Sequence, residues 1–171
     1  NGEIGLVTLQ VHGIWQTQTG SPSDPQAGNI PGGRRDVLRS ADLNDGKMQG
    51  FAVDSGNWTV SNGQLQVTAA SLGKDAAAVY YLEAYLPVFF EIVGKISTQK
   101  PTSGWNANSF VVFDYWSPTD FKFAGIDVST NKLVIGHRDA SGWHYDAQSS
   151  YNGSLRSDTF YDITVDVNGT F

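Results

Sequence analysis

Apolar and polar residues alternate in short runs along most of the chain. The first run, residues 3–15, is rich in β-branched and apolar residues and predicts a strand. Similar runs follow, separated by clusters of Asn, Asp, Ser or Gly, at residues 51–53, 57–60, 64–68, 109–115, 121–128, 132–138, 143–148 and 160–167. Short strands at nearly regular spacing predict an all-β fold, here a two-sheet antiparallel β-sandwich of the jelly-roll type.

Two turn sequences join neighbouring runs into predicted hairpins. Asn62 and Gly63 stand between two alternating runs, and Asn-Gly readily adopts the positive φ angles of a two-residue turn. Residues 139–142, with the sequence Asp-Ala-Ser-Gly, are expected to form a second turn between two later runs. This hairpin is expected to bring His137 close to His144.

The segment at residues 76–86 carries conflicting signals. It contains good helix formers, yet a Val-Tyr-Tyr triplet within it favours a strand. Pro87 ends any helix, and residues 89–96 again have strand character. We expect two strands around Pro87, and a short helix over 76–86 is the alternative.

The chain divides into three expected segments. Residues 1–15 form an N-terminal strand, which could be the tail of a preceding module. Residues 16–39 are rich in Pro, Gly and Ser and predict an irregular connection. Residues 40–171 predict one β-sandwich module. Its last run ends in an Asn-Gly turn with two residues after it, so we expect a fragment that lacks its last strands, or a sheet completed by a second chain.

Composition narrows the classes of function. The chain has 171 residues, enough for one domain, and its charged fraction of 16% predicts a surface of hydroxyl and amide groups. Its 17 acidic and 11 basic residues give a net charge of -6 without a basic block, which disfavours nucleic acid as a partner. The chain has no Cys, which excludes thiol catalysis and thiolate metal sites. No apolar run approaches the roughly 18 residues of a membrane span.

Five short motifs carry a resemblance to a known family. They read DLNDG, GNWTVSNGQL, FDY, DFKFAGID and GHR, at residues 42–46, 56–65, 113–115, 120–127 and 136–138. The region from Ser40 onward resembles the concanavalin A-like lectin/glucanase sandwich of the laminin-G-like sort, which recurs in large bacterial extracellular and surface proteins. The resemblance implies a β-sandwich of a dozen or so strands in two sheets. It also implies a secreted or cell-surface module with a non-catalytic binding or adhesion role, commonly with a structural calcium.

The first motif supplies the candidate calcium site. Asp42, Asn44 and Asp45 place three oxygen donors within four residues, beside a glycine that lets the chain turn. Because Ca²⁺ prefers about six to eight oxygen ligands, a distant acid has to join them, and Asp162 or Asp166 is the candidate. The alternative is an ordinary Asx turn, in which these side chains accept hydrogen bonds from nearby backbone N–H groups.

Aromatic and polar side chains near predicted strand ends and turns form a candidate ligand site. The apolar faces of sugar rings pack on indole and phenol rings, while sugar hydroxyls bond to amide, carboxylate, guanidinium and imidazole groups. The candidates are Trp105, Asn106, Tyr115, Trp116, His137, Arg138, Trp143 and Tyr145. The alternative for each aromatic residue is packing in the core or on a sheet. The predicted ligand is a glycan or another extracellular polymer.

The sequence gives little support to catalysis. A glycosidase needs two carboxylates that flank the scissile bond, but Glu is scarce and no Glu-x-Asp-x-x-Glu run occurs. His137, Arg138 and Tyr145 are similar to the constellation of a polysaccharide lyase, so a polysaccharide-degrading enzyme or its accessory domain is the alternative function. Three His without a paired spacing do not predict a zinc site. We expect a binding module and not an enzyme, and a structural spacer of a surface protein is the other alternative.

Overall fold

The computed structural model describes residues 3–15, 34–68, 75–82, 86–99 and 106–168. Within these ranges the chain is all-β, without a helix. Its strands are β1 (Glu3–Trp15), β2 (Arg34–Ala41), β3 (Phe51–Ser55), β4 (Asn57–Ser61), β5 (Gln64–Thr68), β6 (Ala77–Tyr80), β7 (Phe89–Thr98), β8 (Asn108–Ser117), β9 (Asp120–Asp127), β10 (Lys132–Asp139), β11 (Gly142–Ser150) and β12 (Tyr161–Asn168). A search of the described residues for a helix that could span a membrane finds none.

The larger sheet has six strands, and its pairings are antiparallel. Its order is β12-β7-β1-β5-β4, with β2 also paired to β1. β1 is long enough to pair with two strands end to end, since its residues 3–6 face β5 and its residues 9–15 face β2. β7 pairs with β1 over nearly its whole length. The predicted N-terminal strand is therefore present, as a central strand of this sheet.

Two further antiparallel sheets complete the described fold. One has four strands in the order β11-β10-β9-β8, and the other pairs β3 with β6. Several antiparallel sheets are consistent with the predicted β-sandwich. The family resemblance implied two sheets, and the separate β3–β6 pair is the difference, because β3 and β6 pair with each other and not with a strand of either larger sheet.

Among the described residues, the buried apolar side chains form three clusters rather than one. The largest joins the two larger sheets: Val11 and Ile92 of the six-stranded sheet pack with Val111 and Ile126 of the four-stranded sheet. The second is centred on three residues near β2 and β5, and the third on three residues of β9 and β10. Their members are Ala41, Leu43 and Leu65, and Phe121, Phe123 and Val134. The two larger sheets are thus held together mainly by the first cluster, through the burial of apolar surface.

The two predicted hairpin turns are confirmed. Asn62 and Gly63 have φ angles of 52° and 69°, the positive values that the turn between β4 and β5 requires. Asp139 pairs with Gly142 at the end of the β10–β11 ladder, so the predicted turn closes that hairpin as well.

The structure differs from the sequence prediction at residues 34–39. This stretch was expected to belong to the irregular connection, but Arg34–Ala41 forms β2 and pairs with β1. Most residues of β2 are charged or polar, so the apolar alternation that marks the other strands is missing here. The backbone hydrogen bonds to β1 hold the strand without that alternation. The rest of the expected connection, residues 16–33, lies outside the described residues.

The conflicting segment around Pro87 contains a strand. β6 covers Ala77–Tyr80 and β7 begins at Phe89, so the strand interpretation is confirmed where the chain is described. Residues 83–85 lie outside the described residues, as do residues 169–171 after β12. β12 stands at one end of the order of its sheet, and a second chain that extends this edge stays a prediction.

Candidate functional site

A cavity of about 880 Å³ lies between the two larger sheets. Strands β1, β4, β5 and β7 line it from one sheet, β8, β9 and β11 line it from the other, and β3, β6 and residues between strands also contribute. The cavity reaches all three apolar clusters, since Ile92, Leu65 and Phe121 belong to different clusters and all line it. A concave, largely apolar space of this size is typical of a small-ligand site, so we take the cavity as the candidate site.

Aromatic rings in contact with one another form part of the cavity wall. The rings of Tyr81 and Tyr115 have centroids 6.5 Å apart, Tyr115 stacks on Phe121 at 5.7 Å, and Phe121 meets Trp143 edge-on at 5.4 Å. Tyr145 also lines the cavity. Residues two apart on a strand share a face, which explains why β11 presents both Trp143 and Tyr145 to the interior. The aromatic wall, Tyr81, Tyr115, Phe121, Trp143 and Tyr145, thus combines residues distant in sequence.

Nearby carboxylates form a hydrogen bond with one ring of the wall and contribute to the raised pKa values of two of its tyrosines. The indole N–H of Trp143 donates a hydrogen bond to Asp75 at 3.2 Å. Burial raises the pKa of Tyr115 to about 12, and a hydrogen bond with Asp54 adds to that effect. Burial also raises the pKa of Tyr145, again with a contribution from nearby carboxylates. Both phenols therefore remain protonated at neutral pH and can donate hydrogen bonds.

The charge of the cavity lining is negative. Asp54, Asp75 and Asp114 line the cavity, and among the described lining residues there is no Lys, Arg or His. Lys122 forms an ion pair with Asp114 at 2.8 Å, outside that lining. A lining with carboxylates and without cations favours a neutral or cationic ligand over an anionic one.

Another part of the lining is apolar and contains one unsatisfied hydroxyl. Leu9, Val11, Leu82 and Ile92 contribute apolar surface. Ser109 also lines the cavity; it is 1% exposed, and its Oγ has no hydrogen-bond partner in the described structure. Leaving a buried hydroxyl unpaired costs about 1 to 3 kcal/mol, so a polar ligand atom within reach of this Oγ would gain a stabilising bond.

Half of the sequence-predicted ligand residues line this cavity. Those four are Asn106, Tyr115, Trp143 and Tyr145. Trp116 is 83% exposed, and neither it nor His137 or Arg138 is among the lining residues. Trp105 lies outside the described residues.

Strands β10 and β11 separate the remaining predicted residues onto two faces. Arg138 lies on the side of Trp143, with its guanidinium carbon 6.0 Å from the indole centroid. His137 points to the other face, where its ring stacks on that of His144 with centroids 4.7 Å apart, which confirms their predicted proximity. Because neighbouring residues of a strand face opposite ways, His137, Arg138 and Tyr145 do not converge into the lyase-like constellation.

The predicted calcium loop has the geometry of Asx turns. Asp42 Oδ1 accepts the N–H of Asn44 at 3.2 Å, and Asp45 Oδ1 accepts the N–H of Lys47 at 3.0 Å. The side-chain amide of Gln49 donates to both carboxylates, at 3.0 Å each. The hydrogen bond from Gln49 is also the main reason that the pKa of Asp42 is lowered. The Asp42 and Asp45 carboxylates proposed as calcium ligands therefore already accept hydrogen bonds within the loop.

The distant acid of the calcium prediction is engaged elsewhere. Asp162 lies on β12 opposite Lys95 of β7, and their side chains form an ion pair at 3.5 Å. Asp162 is 83% exposed at its side chain. Among the described residues, three His or acidic side chains lie close enough together to hold a metal ion. None of these three is Asp42, Asp45 or Asp162. The structure does not bring the four predicted calcium ligands together.

Sequence reasoning missed several residues of the cavity lining. Tyr80, Tyr81, Asp54, Asp75 and Ser109 line it but were not predicted as site residues. The Tyr80-Tyr81 pair was visible in the sequence, but it lies in the segment with conflicting helix and strand signals. The others carried no signal, because only the pairing of distant strands brings them to one cavity.

Comparison with known proteins gives no match: no protein-family model, no curated protein and no solved structure is significantly similar to this chain. The resemblance to concanavalin A-like sandwiches therefore stays a prediction. What the chain binds has to be argued from the chemistry of its own cavity and surface.

Proposed function

We propose that the chain is a non-catalytic, extracellular or cell-surface binding module that takes a segment of a neutral glycan into the cavity between its sheets. The observation that supports this most is the aromatic wall beside carboxylates, in a lining without described cations. An adhesion role at a cell surface follows from the same proposal.

The chemistry of a sugar matches this lining. A pyranose ring presents C–H groups that pack against an aromatic face, while its hydroxyls donate to carboxylates and accept from phenols. Tyr81 and Tyr145 are the most accessible members of the wall, 61% and 43% exposed, so they are the first rings that a ligand meets. Asp54 and Asp75 can accept hydrogen bonds from sugar hydroxyls beside these rings.

Fluorescence titration with neutral oligosaccharides tests the proposal. We expect saturable binding by the unchanged chain and about a tenfold loss of affinity in Tyr81→Ala and in Tyr145→Ala, since one stacking contact contributes about 1 kcal/mol or slightly more. Trp116→Ala is the matched control, because Trp116 is an exposed aromatic residue outside the cavity lining. Its affinity should stay unchanged. Binding that depends on Trp116 and not on the two tyrosines would place the ligand outside the cavity and contradict the proposal.

An apolar ligand is the second candidate, favoured by the aliphatic part of the lining. Leu9, Val11, Leu82 and Ile92 offer no hydrogen bonds from their side chains, and an alkyl or terpenoid chain would bury apolar surface against them. A neutral apolar fluorophore separates the two candidates. If the fluorophore binds and no oligosaccharide displaces it, the second candidate replaces the first.

Turnover separates the binding module from a polysaccharide-degrading enzyme. Incubation with a polysaccharide panel should release neither reducing ends nor unsaturated products. Suppose that the unchanged chain releases either product and that a variant of a cavity residue does not. This result would overturn the proposal that the chain is non-catalytic. If the chain is a structural spacer, we expect neither product release in the turnover experiment nor saturable binding in the titration.

The calcium prediction stays a proposal for the loop of Asp42, Asn44 and Asp45 without Asp162, because Asp162 lies on β12 and pairs with Lys95. A bound ion stabilises the folded state by mass action, so the midpoint of thermal unfolding should rise with Ca²⁺ and fall on adding a chelator. Asp45→Asn should abolish the rise. Equal midpoints with and without chelator would contradict the calcium prediction and leave the Asx turns as the whole role of the loop.

A further inference from the structure

The outer face of the β10–β11 hairpin carries a cluster of histidines and carboxylates that is separate from the cavity. A ring nitrogen of His137, one of His144 and a carboxylate oxygen of Asp139 all lie within 4.8 Å of one another. The side chains of His137, His144 and Asp139 are 42%, 40% and 49% exposed. We propose that these three residues bind a divalent transition-metal ion of the zinc type at the surface.

Strand pairing places the ligands without help from flexible loops. His137 and His144 are direct partners in the antiparallel register, and Asp139 stands two residues from His137 on the same face. The Asp139–Gly142 pair closes the hairpin beside them. The backbones that carry these ligands are therefore held in register by the hydrogen bonds of two paired strands.

Asp146 orients the first imidazole for metal binding. Its Oδ2 lies 2.9 Å from Nδ1 of His137. An ionised carboxylate can only accept a hydrogen bond, so Nδ1 carries the proton and Nε2 of the neutral ring carries the lone pair. A carboxylate on the far nitrogen of a histidine is the usual support of a metal-binding imidazole. Asp146 is thus a positioning residue, and His137 Nε2 is the ligand atom.

The second imidazole and its carboxylate lie at hydrogen-bond distance from each other. His144 Nε2 is 2.9 Å from Asp139 Oδ1, and this oxygen also accepts the backbone N–H groups of Ser141 and Gly142 in the turn, so a bound ion displaces the imidazole hydrogen bond and leaves the turn in place. On metal binding, the ring proton moves from Nε2 to Nδ1, so the neutral ring offers its lone pair to the ion and no charge is created. Metal–ligand bonds of about 2.0 to 2.1 Å place tetrahedral ligand atoms about 3.3 Å apart. The His144–Asp139 contact therefore has to widen by about 0.4 Å, and any other separation in the group, which is at most 4.8 Å, has to narrow by up to about 1.5 Å; exposed side chains achieve both by rotation.

The donor set selects the class of ion. Two imidazoles and one carboxylate suit Zn²⁺, Ni²⁺ or Cu²⁺, whereas Ca²⁺ and Mg²⁺ prefer oxygen ligands throughout. Three protein ligands leave a fourth position open to water or to a donor group of another molecule. The sequence predicted that His137 and His144 lie close together but did not predict a metal site, because Asp139, the third ligand, was assigned only to the turn.

Calorimetric titration of the full chain with Zn²⁺ tests the proposal, with Co²⁺ absorption as an independent readout of nitrogen ligation. We expect one saturable site, at least tenfold weaker binding in His137→Gln and His144→Gln, and a loss of about 10- to 100-fold in Asp146→Ala. His12→Gln is the matched control, since His12 is the remaining histidine and lies on β1. Circular dichroism verifies that each variant keeps its strands.

Three outcomes would overturn the proposal. The first is the absence of saturable Zn²⁺ binding. The second is a loss of Zn²⁺ affinity in His12→Gln that is as large as the loss in the hairpin variants. Such a result would indicate non-specific binding of the ion to imidazole side chains. The third is undiminished affinity in His144→Gln in a folded chain.

Discussion

Glu91 on β7 lies between an attractive and a repulsive charge. Arg35 of β2 binds its carboxylate with three N–H···O contacts of 2.8 to 3.1 Å, and the carboxylate side chain is 12% exposed. Asp166 of β12 is the direct cross-strand partner of Glu91 on the other side. The hydrogen bonds from Arg35 lower the pKa of Glu91, whereas burial and the charge of Glu91 raise the pKa of Asp166.

Substitutions of the two charged neighbours of Glu91 are expected to change the stability of the fold in opposite directions, and both changes depend on pH. Because its folded-state pKa is lowered, Glu91 stabilises the fold above the usual value of 4.5, and this stabilisation is lost as the pH falls through the folded-state pKa. Arg35→Met should lower the midpoint of thermal unfolding by about 3 °C at pH 7 and by less at pH 3, which lies below the usual pKa of Glu91. Asp166 has a raised pKa and destabilises the fold at neutral pH, so Asp166→Asn should raise the midpoint at pH 7 alone. Thermal melts at both pH values measure this, and an Arg35→Met loss of equal size at pH 3 would contradict it.

At the scale of elements, the pairing of β10 with β11 requires a residue without a side chain at position 136, where the chain has Gly136. A Cβ built at this position meets the backbone O of His144 at 2.0 Å and Cζ of Phe123 at 2.7 Å. The site is where the register between the two strands shifts, beside Ile135. Glycine is required here for close approach of two backbones and not for an unusual φ angle.

Gly136→Ala should destabilise the chain by about 2 to 3 kcal/mol, because the added methyl group forces two paired strands apart. Ile135→Thr is the control: Ile135 precedes Gly136 and is 44% exposed, so its substitution should change stability by no more than about 0.5 kcal/mol. Urea unfolding measures both. Equal stability of Gly136→Ala and the unchanged chain would refute the close approach of β10 and β11.

The sequence predicts elements better than it predicts the site. Alternation along residues 132–138 and 143–148 is a local pattern, so it identified β10 and β11 and the turn between them. The sequence did not predict β2, because apolar and polar residues do not alternate along it. Its strand conformation comes from pairing with β1. The cavity combines Tyr81, Tyr115 and Trp143, and no local pattern encodes the pairing and stacking of sheets that brings them together.

At the scale of the whole molecule, the two sides of the four-stranded sheet have different chemistry. The inner side presents Trp143 and Tyr145 to a cavity whose described lining has no cation, and the outer side presents His137 and His144 next to carboxylates. The alternation of a single strand, β11, produces both surfaces. A ligand in the cavity and an ion on the hairpin can therefore bind at the same time and be tested separately.

The most direct test of the central claim, that the space between the sheets binds a neutral glycan, is a nuclear magnetic resonance titration of the chain with neutral oligosaccharides. We predict saturable shifts of the Trp143 indole N–H and of the backbone amides of Tyr81, Tyr115 and Tyr145, with the His137 and His144 rings unaffected. Saturable shifts confined to the outer face of the hairpin, or no saturable shift with any oligosaccharide, would contradict the claim.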